Sequence, residues 1–383
     1  MSRSQGSRAS SPASEGWIKA TYALSLAAGE SAESKAKTLA FEQTVELPPE
    51  SVSEELVASV VGRVERLERG EGDRWLATLH FRSGLARGSF SQLMNLLYGN
   101  FSLLSGVCLL EVEWPDDLLA RFPGPRFGLE GLRDLCGVEA RRPLTCAVSK
   151  PLGLSSRQLA DLVGLLARAG IDIIKDDHSL VDQPTAPFRE RVDLCQQAVE
   201  EANRSAGKSA VYFPSLGGRP RELLDNVGFL KERGCRGAVV IPFYLGLDTV
   251  AGLAAESDLA LLAHPSGSGV LLDPEHGVAP GVYLGQVLRI AGCDAVIYPH
   301  AGGRFRMDEA SASAIRSNLL GELGTLRPSA PAPGGSIETA ALVEWLDIYG
   351  PDSVFVVGSS VARAEDPTAA AEELVSTVRD AFA

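Results

Sequence analysis

From Pro143 to the end of the chain, short apolar runs alternate with segments whose apolar residues recur every three or four positions. The runs lie at residues 144–150, 171–175, 210–214, 237–242, 259–264, 295–298, 329–333 and 353–357. Short apolar runs of this kind read as strands buried on both faces, as in a parallel sheet covered by helices. The first intervening segment shows the helical period. Leu159, Leu162, Val163 and Leu166 fall at i, i+3, i+4 and i+7, Ser155 and Ser156 offer caps, and Gly170 offers a stop. In the third, Pro220 suits a first helical turn, and Leu223, Leu224, Val227 and Leu230 make the stripe. Eight strands alternating with eight helices over about 240 residues predict a (β/α)8 TIM barrel. Its seventh strand is interrupted by Pro331 and Pro333, each lacking a ladder donor.

The first third is mixed. Residues 22–28 and 75–81 read as strands, 51–65 and 91–98 as helices, and 106–113 as another strand. The expected organisation is α/β: an α+β domain over residues 17–141, then the barrel over 142–383, with Pro-rich sequence at 122–127 marking the transition. Residues 1–16, rich in Ser, Gly and Arg with no apolar core, read as a disordered tail and not a signal peptide.

Composition narrows the function. No apolar run approaches the ~20 residues of a membrane span. A net charge of −13, from 36 basic and 49 acidic residues, argues against nucleic acid as a partner. It leaves room for an anionic substrate held by backbone N–H groups. Six cysteines without a CxxC pair read as buried, reduced thiols of a cytoplasmic protein.

Two barrel runs end in charge: Cys146-Ala-Val-Ser-Lys-Pro-Leu-Gly-Leu154 and Ile171-Asp-Ile-Ile-Lys-Asp-Asp-His178. Barrel enzymes place their chemistry at strand C-terminal ends, so Lys150 and Lys175 become neighbours there, beside Asp177 and His178. The remaining ends carry His264, His300, Gly334-Gly335 and Gly358-Ser359. Gly334-Gly335 and Gly358-Ser359, after the last two strands, fit a phosphate cradle of backbone N–H groups.

Lys150-Pro-Leu-Gly-Leu154, Lys175-Asp-Asp-His178, Tyr98-Gly-Asn100, Phe41-Glu-Gln-Thr44 and Ile297-Tyr-Pro-His-Ala-Gly-Gly-Arg-Phe305 together resemble the large subunit of ribulose-bisphosphate carboxylase. They resemble more closely the RuBisCO-like (form IV) proteins, which do not fix CO2. The resemblance implies Lys150 as the base, and Lys175 as a carbamate formed with CO2, holding Mg2+ together with Asp177 and His178. It implies Glu42, Asn100, His264, Arg304, Gly334, Gly335, Gly358 and Ser359 around a small phosphorylated substrate, with His264 also catalytic. It implies a homodimer in which Asn100 and Glu42 reach over the barrel mouth of the neighbouring subunit.

The departures from the carboxylases matter as much. His178 stands where the family has glutamate, and imidazole suits transition metals better than Mg2+. Either the metal is held less tightly, or another divalent metal is used, or the substrate supplies a carboxylate; alternatively His178 is an acid/base group. Pro265 replaces an arginine, Pro333 a serine and Ile297 a histidine, which dismantles the second phosphate site. Arg304 takes the place of the loop-six lysine. The expected activity is enediolate formation from a phosphorylated keto-sugar or 3-oxo sugar acid, foremost a decarboxylase acting on a compound such as 3-oxo-isoapionate 4-phosphate. The alternatives are an enolase or isomerase of a methylthio-sugar phosphate, and a non-catalytic barrel that binds a phosphorylated metabolite.

Overall fold

The structure, a computed structural model, describes residues 16–305, 307–335, 342–358, 361 and 363–382. Residues 1–15 of the expected tail lie outside the described residues; Gly16 donates its N–H to Asp117 at 3.2 Å. The chain divides into two units: residues 1–107 with 112–121, and residues 108–111 with 122–383.

In the first unit, β1 (Trp17–Leu24), β2 (Arg63–Arg69) and β3 (Trp75–Arg82) form an antiparallel sheet with β3 in the middle. Ile18, Ala20 and Tyr22 of β1 alternate inward and are fully buried, and the Tyr22 hydroxyl donates to the Leu97 carbonyl at 2.7 Å. The helix expected over residues 51–65 is corrected. Only Glu54–Ser59 is helical, capped by Ser53, and the chain then turns into β2. There Arg63, Val64, Glu65 and Arg66 are all exposed, so β2 is an edge strand whose charges guard it. Both faces of the strand are exposed over Arg63–Arg66, so no two-residue apolar period marks it. A fourth strand, β4 (Val107–Glu113), is shared between the units.

The second unit is the barrel. Its strands are β5 (Leu144–Ser149), β6 (Ile173–Asp176), β7 (Val211–Phe213), β8 (Gly237–Val240) and β9 (Ala260–Ala263). After the two-residue β10 (Gly277–Val278) follow β11 (Ala295–Pro299), β12 (Ala330–Gly334) and β13 (Val354–Val357). Two parallel arcs, β13-β5-β6-β7 and β12-β11-β9-β8, carry all eight expected strands. A bridge between Ser215 and Val239 joins β7 to β8. The seventh strand is intact despite its prolines, because β12 pairs with β11 in unbroken register from Ala330 to Gly334.

The expected caps are in place. Ser155 and Gln158 form a capping box on the helix Ser156–Ala169, which ends at Gly170 in the left-handed conformation. Pro220 opens the helix Pro220–Glu232. Side chains alternate along each strand, and Cys146, Ile173, Val211, Phe213, Val239, Leu262, Ile297, Ala332 and Val356 fill the barrel interior.

Two buried polar groups brace the bottom of the barrel. Asp294 accepts N–H bonds from Phe127, Gly128 and Leu261, and burial still pushes its carboxyl up to about 6. Arg289 is 1% exposed and donates to the carbonyls of Arg327, Asn318, Gly321 and Leu326 at 2.7–2.9 Å. Its guanidinium meets four carbonyl oxygens, and burial lowers its pKa to about 10. All six cysteines are buried free thiols. Among the described residues, no helix is long and apolar enough to cross a membrane.

Candidate active site

Inward residues recur every second position, so the core residues fix what faces the mouth. Beyond Val148, Ile173, Leu262, Ala332 and Val356 the next inward positions are Lys150, Lys175, His264, Gly334 and Gly358. One step past Lys175 comes Asp177, followed by His178. Sequence and fold thus bring the two lysines, Asp177, His178 and His264 to one end of the barrel.

Lys175 is 1% exposed, and its ammonium donates to the Asp176 carbonyl at 2.7 Å. Burial lowers its pKa, against the opposing pull of Cys146, Asp177 and Asp176. Lys150 is half-buried; burial lowers its pKa too, opposed by Asp177 and reinforced by Arg304 and Arg363. Both amines are therefore easier to hold neutral than an exposed lysine, which suits one as a base and the other as a nucleophile toward CO2. A Cβ on Gly358 would lie 3.1 Å from the Lys150 amine and 3.0 Å from Val148. A larger residue there would push on that lysine by a few tenths of an ångström.

The rings of His178 and His264 stack with centroids 3.8 Å apart and planes 7° from parallel. His178 Nδ1 lies 3.4 Å from the Asp177 carboxylate, and burial lowers the pKa of His178. His264 is pressed down to about 2, first by burial, then by Lys175 and His178. It is a neutral imidazole. Its Nδ1 accepts the Ser266 N–H at 3.2 Å, so the ring proton sits on Nε2, where it can donate to an oxygen.

Gly334 and Gly335 end β12, and Gly335 has φ +95, a conformation that favours glycine. The loop after β11 is fastened to them: His300 N–H donates to the Gly334 carbonyl at 3.0 Å and Arg304 N–H to that of Gly335 at 3.4 Å. The Arg304 guanidinium lies 4.6 Å over the Phe305 ring. Ser359 lies outside the described residues. In the first unit, described by itself, Asn100 donates to Glu42 at 2.9 Å, so these two sequence-selected residues form one polar pair.

Sequence reasoning missed Arg363, which adds positive charge near Lys150. It also missed Arg191, which is fully buried against Asp176. A signal for Arg191 existed. It occupies the apolar stripe Phe188, Val192, Cys195, Val199 of its helix, three residues after Phe188.

Among the described residues, no three His, Cys, Asp or Glu side chains converge as a metal set. Asp177 and His178 supply two donors, and Lys175 becomes a third only as a carbamate, whose formation needs the neutral amine that burial favours. Carbamate, carboxylate and imidazole together would balance a divalent charge. The donor chemistry fits.

Residues 128–359 match the family model described as ribulose bisphosphate carboxylase large chain, catalytic domain. The chain is 38% identical over 352 residues to a 5-methylthioribulose-1-phosphate isomerase of Rhodospirillum rubrum, covering 91% of this chain and 92% of that one. It is 32% identical over 275 residues to a 2,3-diketo-5-methylthiopentyl-1-phosphate enolase of Geobacillus kaustophilus, covering 70% and 66%. Among solved structures, a RuBisCO-like protein from Rhodopseudomonas palustris superposes with a TM-score of 0.86 at 34% identity, covering 95% of this chain and 97% of that one.

Proposed function

Because this chain belongs to the ribulose bisphosphate carboxylase large-chain family, in its RuBisCO-like (form IV) branch, we propose that it enolises a methylthio-sugar phosphate and acts as an isomerase of the 5-methylthioribulose 1-phosphate type. The observation that carries this reading is the pairing of a depressed-pKa base, Lys150, with a neutral donor, His264, at one barrel mouth. A C–H bond next to the carbonyl breaks, its proton moves to the Lys150 amine, and the electron pair shifts onto the carbonyl oxygen. His264 Nε2–H can meet an oxygen that gains charge. Returning that proton to the former carbonyl carbon, while the adjacent hydroxyl gives its proton to the charged oxygen and becomes the new carbonyl, completes the isomerisation with no oxidant or reductant.

Lys175 as a carbamate, Asp177 and His178 would hold a divalent ion, Mg2+ or a transition metal better suited to imidazole. That ion would supply charge neutralisation at the oxygens of the enediolate. Gly334, Gly335 and Gly358 suit a single phosphate, with Arg304 and Arg363 adding positive charge. Elsewhere at the strand ends, Ile241, Pro265 and Pro299 are apolar, which suits a thioether and gives a second phosphate no charged side chain.

The decarboxylase reading gives way. It rested on the negative charge that His178 removes beside the metal site, an argument from charge alone. The similar enzymes named above are an isomerase and an enolase. Enolase action on a diketo methylthio-phosphate stays as the second reading, since it uses the same proton abstraction.

The test is solvent exchange. In deuterated water with Mg2+ and CO2, 5-methylthioribulose 1-phosphate should take up deuterium beside its carbonyl and yield an isomer, followed by NMR. Exchange confined to the diketo compound would move the assignment to enolase. No exchange with either would sink both readings.

We also propose a homodimer with composite sites. Leu103 is 83% exposed in the same turn as Asn100, Leu104 beside it is half exposed, and so is Leu47, which follows Glu42 in the chain. Covering such residues favours association. Sedimentation should give a dimer, and Leu103→Asp should shift it toward monomer with loss of turnover; a monomer of full activity would refute the composite site.

A further inference from the structure

Strand alternation turns Lys175 and Asp177 toward the mouth and Asp176 the other way, into the layer between barrel and helices. Its carboxylate is fully buried and meets four donors. Ser149 Oγ and Tyr212 OH donate to Oδ1 at 2.9 and 2.8 Å; Arg191 Nε and the Ser215 N–H donate to Oδ2 at 3.0 and 3.1 Å. Those donors come from β5, β7, the turn after β7 and the helix Phe188–Ala206.

Arg191 does more than pair with the carboxylate. Its Nη1 donates to the Ala186 carbonyl at 2.7 Å and its Nη2 to that of Val181 at 2.9 Å. One guanidinium thus ties the end of β6 to two points on the loop that leaves it. That loop starts at the mouth with Asp177 and His178 and returns to the helix at Phe188. A further tie runs from Ser215 Oγ to the His178 carbonyl at 3.1 Å.

A buried ion pair adds little net stability over apolar residues of the same volume, so charge at this place on an apolar stripe calls for another account. Arginine offers a planar fork with donors in three directions, which lysine cannot reproduce. We infer that Arg191 is a positioning residue: it holds the Asp177–His178 corner of the site from behind the barrel wall. The inference rests on the enolising activity proposed above. Displacing a reacting group by about 1 Å can cost on the order of a hundredfold in rate.

Arg191→Lys keeps the charge beside Asp176 but loses the ties to Val181 and Ala186. It should fold, lower kcat about tenfold or more, and leave KM nearly unchanged, because the glycine cradle lies on other strands. Deuterium uptake by mass spectrometry should rise across residues 177–187 and not elsewhere in the barrel. Ser215→Ala cuts the other tie without exposing a charge and should lower kcat in the same direction. Tyr212→Phe removes a donor to Asp176 but leaves the loop tied, so kcat should stay within about twofold of wild type. A folded Arg191→Lys with wild-type kcat and uptake would refute the inference, as would an equal loss of kcat in Tyr212→Phe. If Arg191→Lys does not fold, unchanged kcat in Ser215→Ala refutes it. A wild-type protein inactive on every phosphorylated ketose overturns the activity instead, while the uptake measurement still decides the positioning.

Discussion

Lys150→Met should abolish solvent exchange into the substrate, by about a thousandfold within the usual range for a general base, while leaving the fold intact. Methionine fills a similar volume, and at a half-buried mouth position it removes a charge whose burial was unfavourable. Stability should therefore hold or rise slightly. The pH dependence supplies a second signature. Abstraction needs the neutral amine, so kcat/KM falls as pH drops through the lysine's pKa. Burial has moved that pKa below 10.5, with Arg304 and Arg363 reinforcing it against Asp177. The acid limb should lie lower than an exposed lysine would give, and it should vanish in the variant along with the activity. Residual exchange near the wild-type rate, with the limb in place, would assign the base to another group.

The largest effect on stability should come from Arg289→Met. Four carbonyl oxygens converge on that guanidinium, and they belong to the helix Glu309–Leu320 and to the turns that lead into β12. Methionine removes a buried charge, which helps, but takes the donor from four part-buried carbonyls, each costing roughly 1–3 kcal/mol where water does not reach it. The net loss is expected at about 4 kcal/mol, against a typical total of about 5–15 kcal/mol. Urea unfolding followed by circular dichroism reads it directly. A midpoint unmoved from wild type would mean that these carbonyls find other donors.

Much of the barrel was legible because a parallel strand buried on both faces writes itself as an uninterrupted apolar run. Ile173-Ile174 and Val354–Val357 are examples. The prolines of β12 were a poor warning, since the strand keeps its register with β11 through them. The first unit was harder to read. β2 is a charged edge strand whose sequence, Arg-Val-Glu-Arg-Leu-Glu-Arg, satisfies a helix as well as a strand. Only its partner β3 decides. At the site, Lys150, Lys175, Asp177 and His264 were legible because a charged or polar side chain at the end of an apolar run has no packing rationale. The stacking of His178 on His264 was not, because residues 86 positions apart meet only through the closure of the barrel. Arg191 escaped for a related reason: its partners are a carboxylate on a strand and two backbone carbonyls, and carbonyls leave no mark in a sequence.

The buried thiols make the protein a recorder of its own opening. Cys136, Cys146, Cys195, Cys235 and Cys293 lie around the barrel, Cys136 near Cys146 and Cys195 near Cys235, and burial pushes each of them up, away from the reactive thiolate. An alkylating reagent can mark such a thiol only after its neighbourhood has come apart, so the order in which the five acquire label is the order in which the barrel comes undone. Each carries a clock set by local fluctuation, with Cys293 timing the stretch between Arg289 and β11 and Cys146 timing the strand that delivers Lys150.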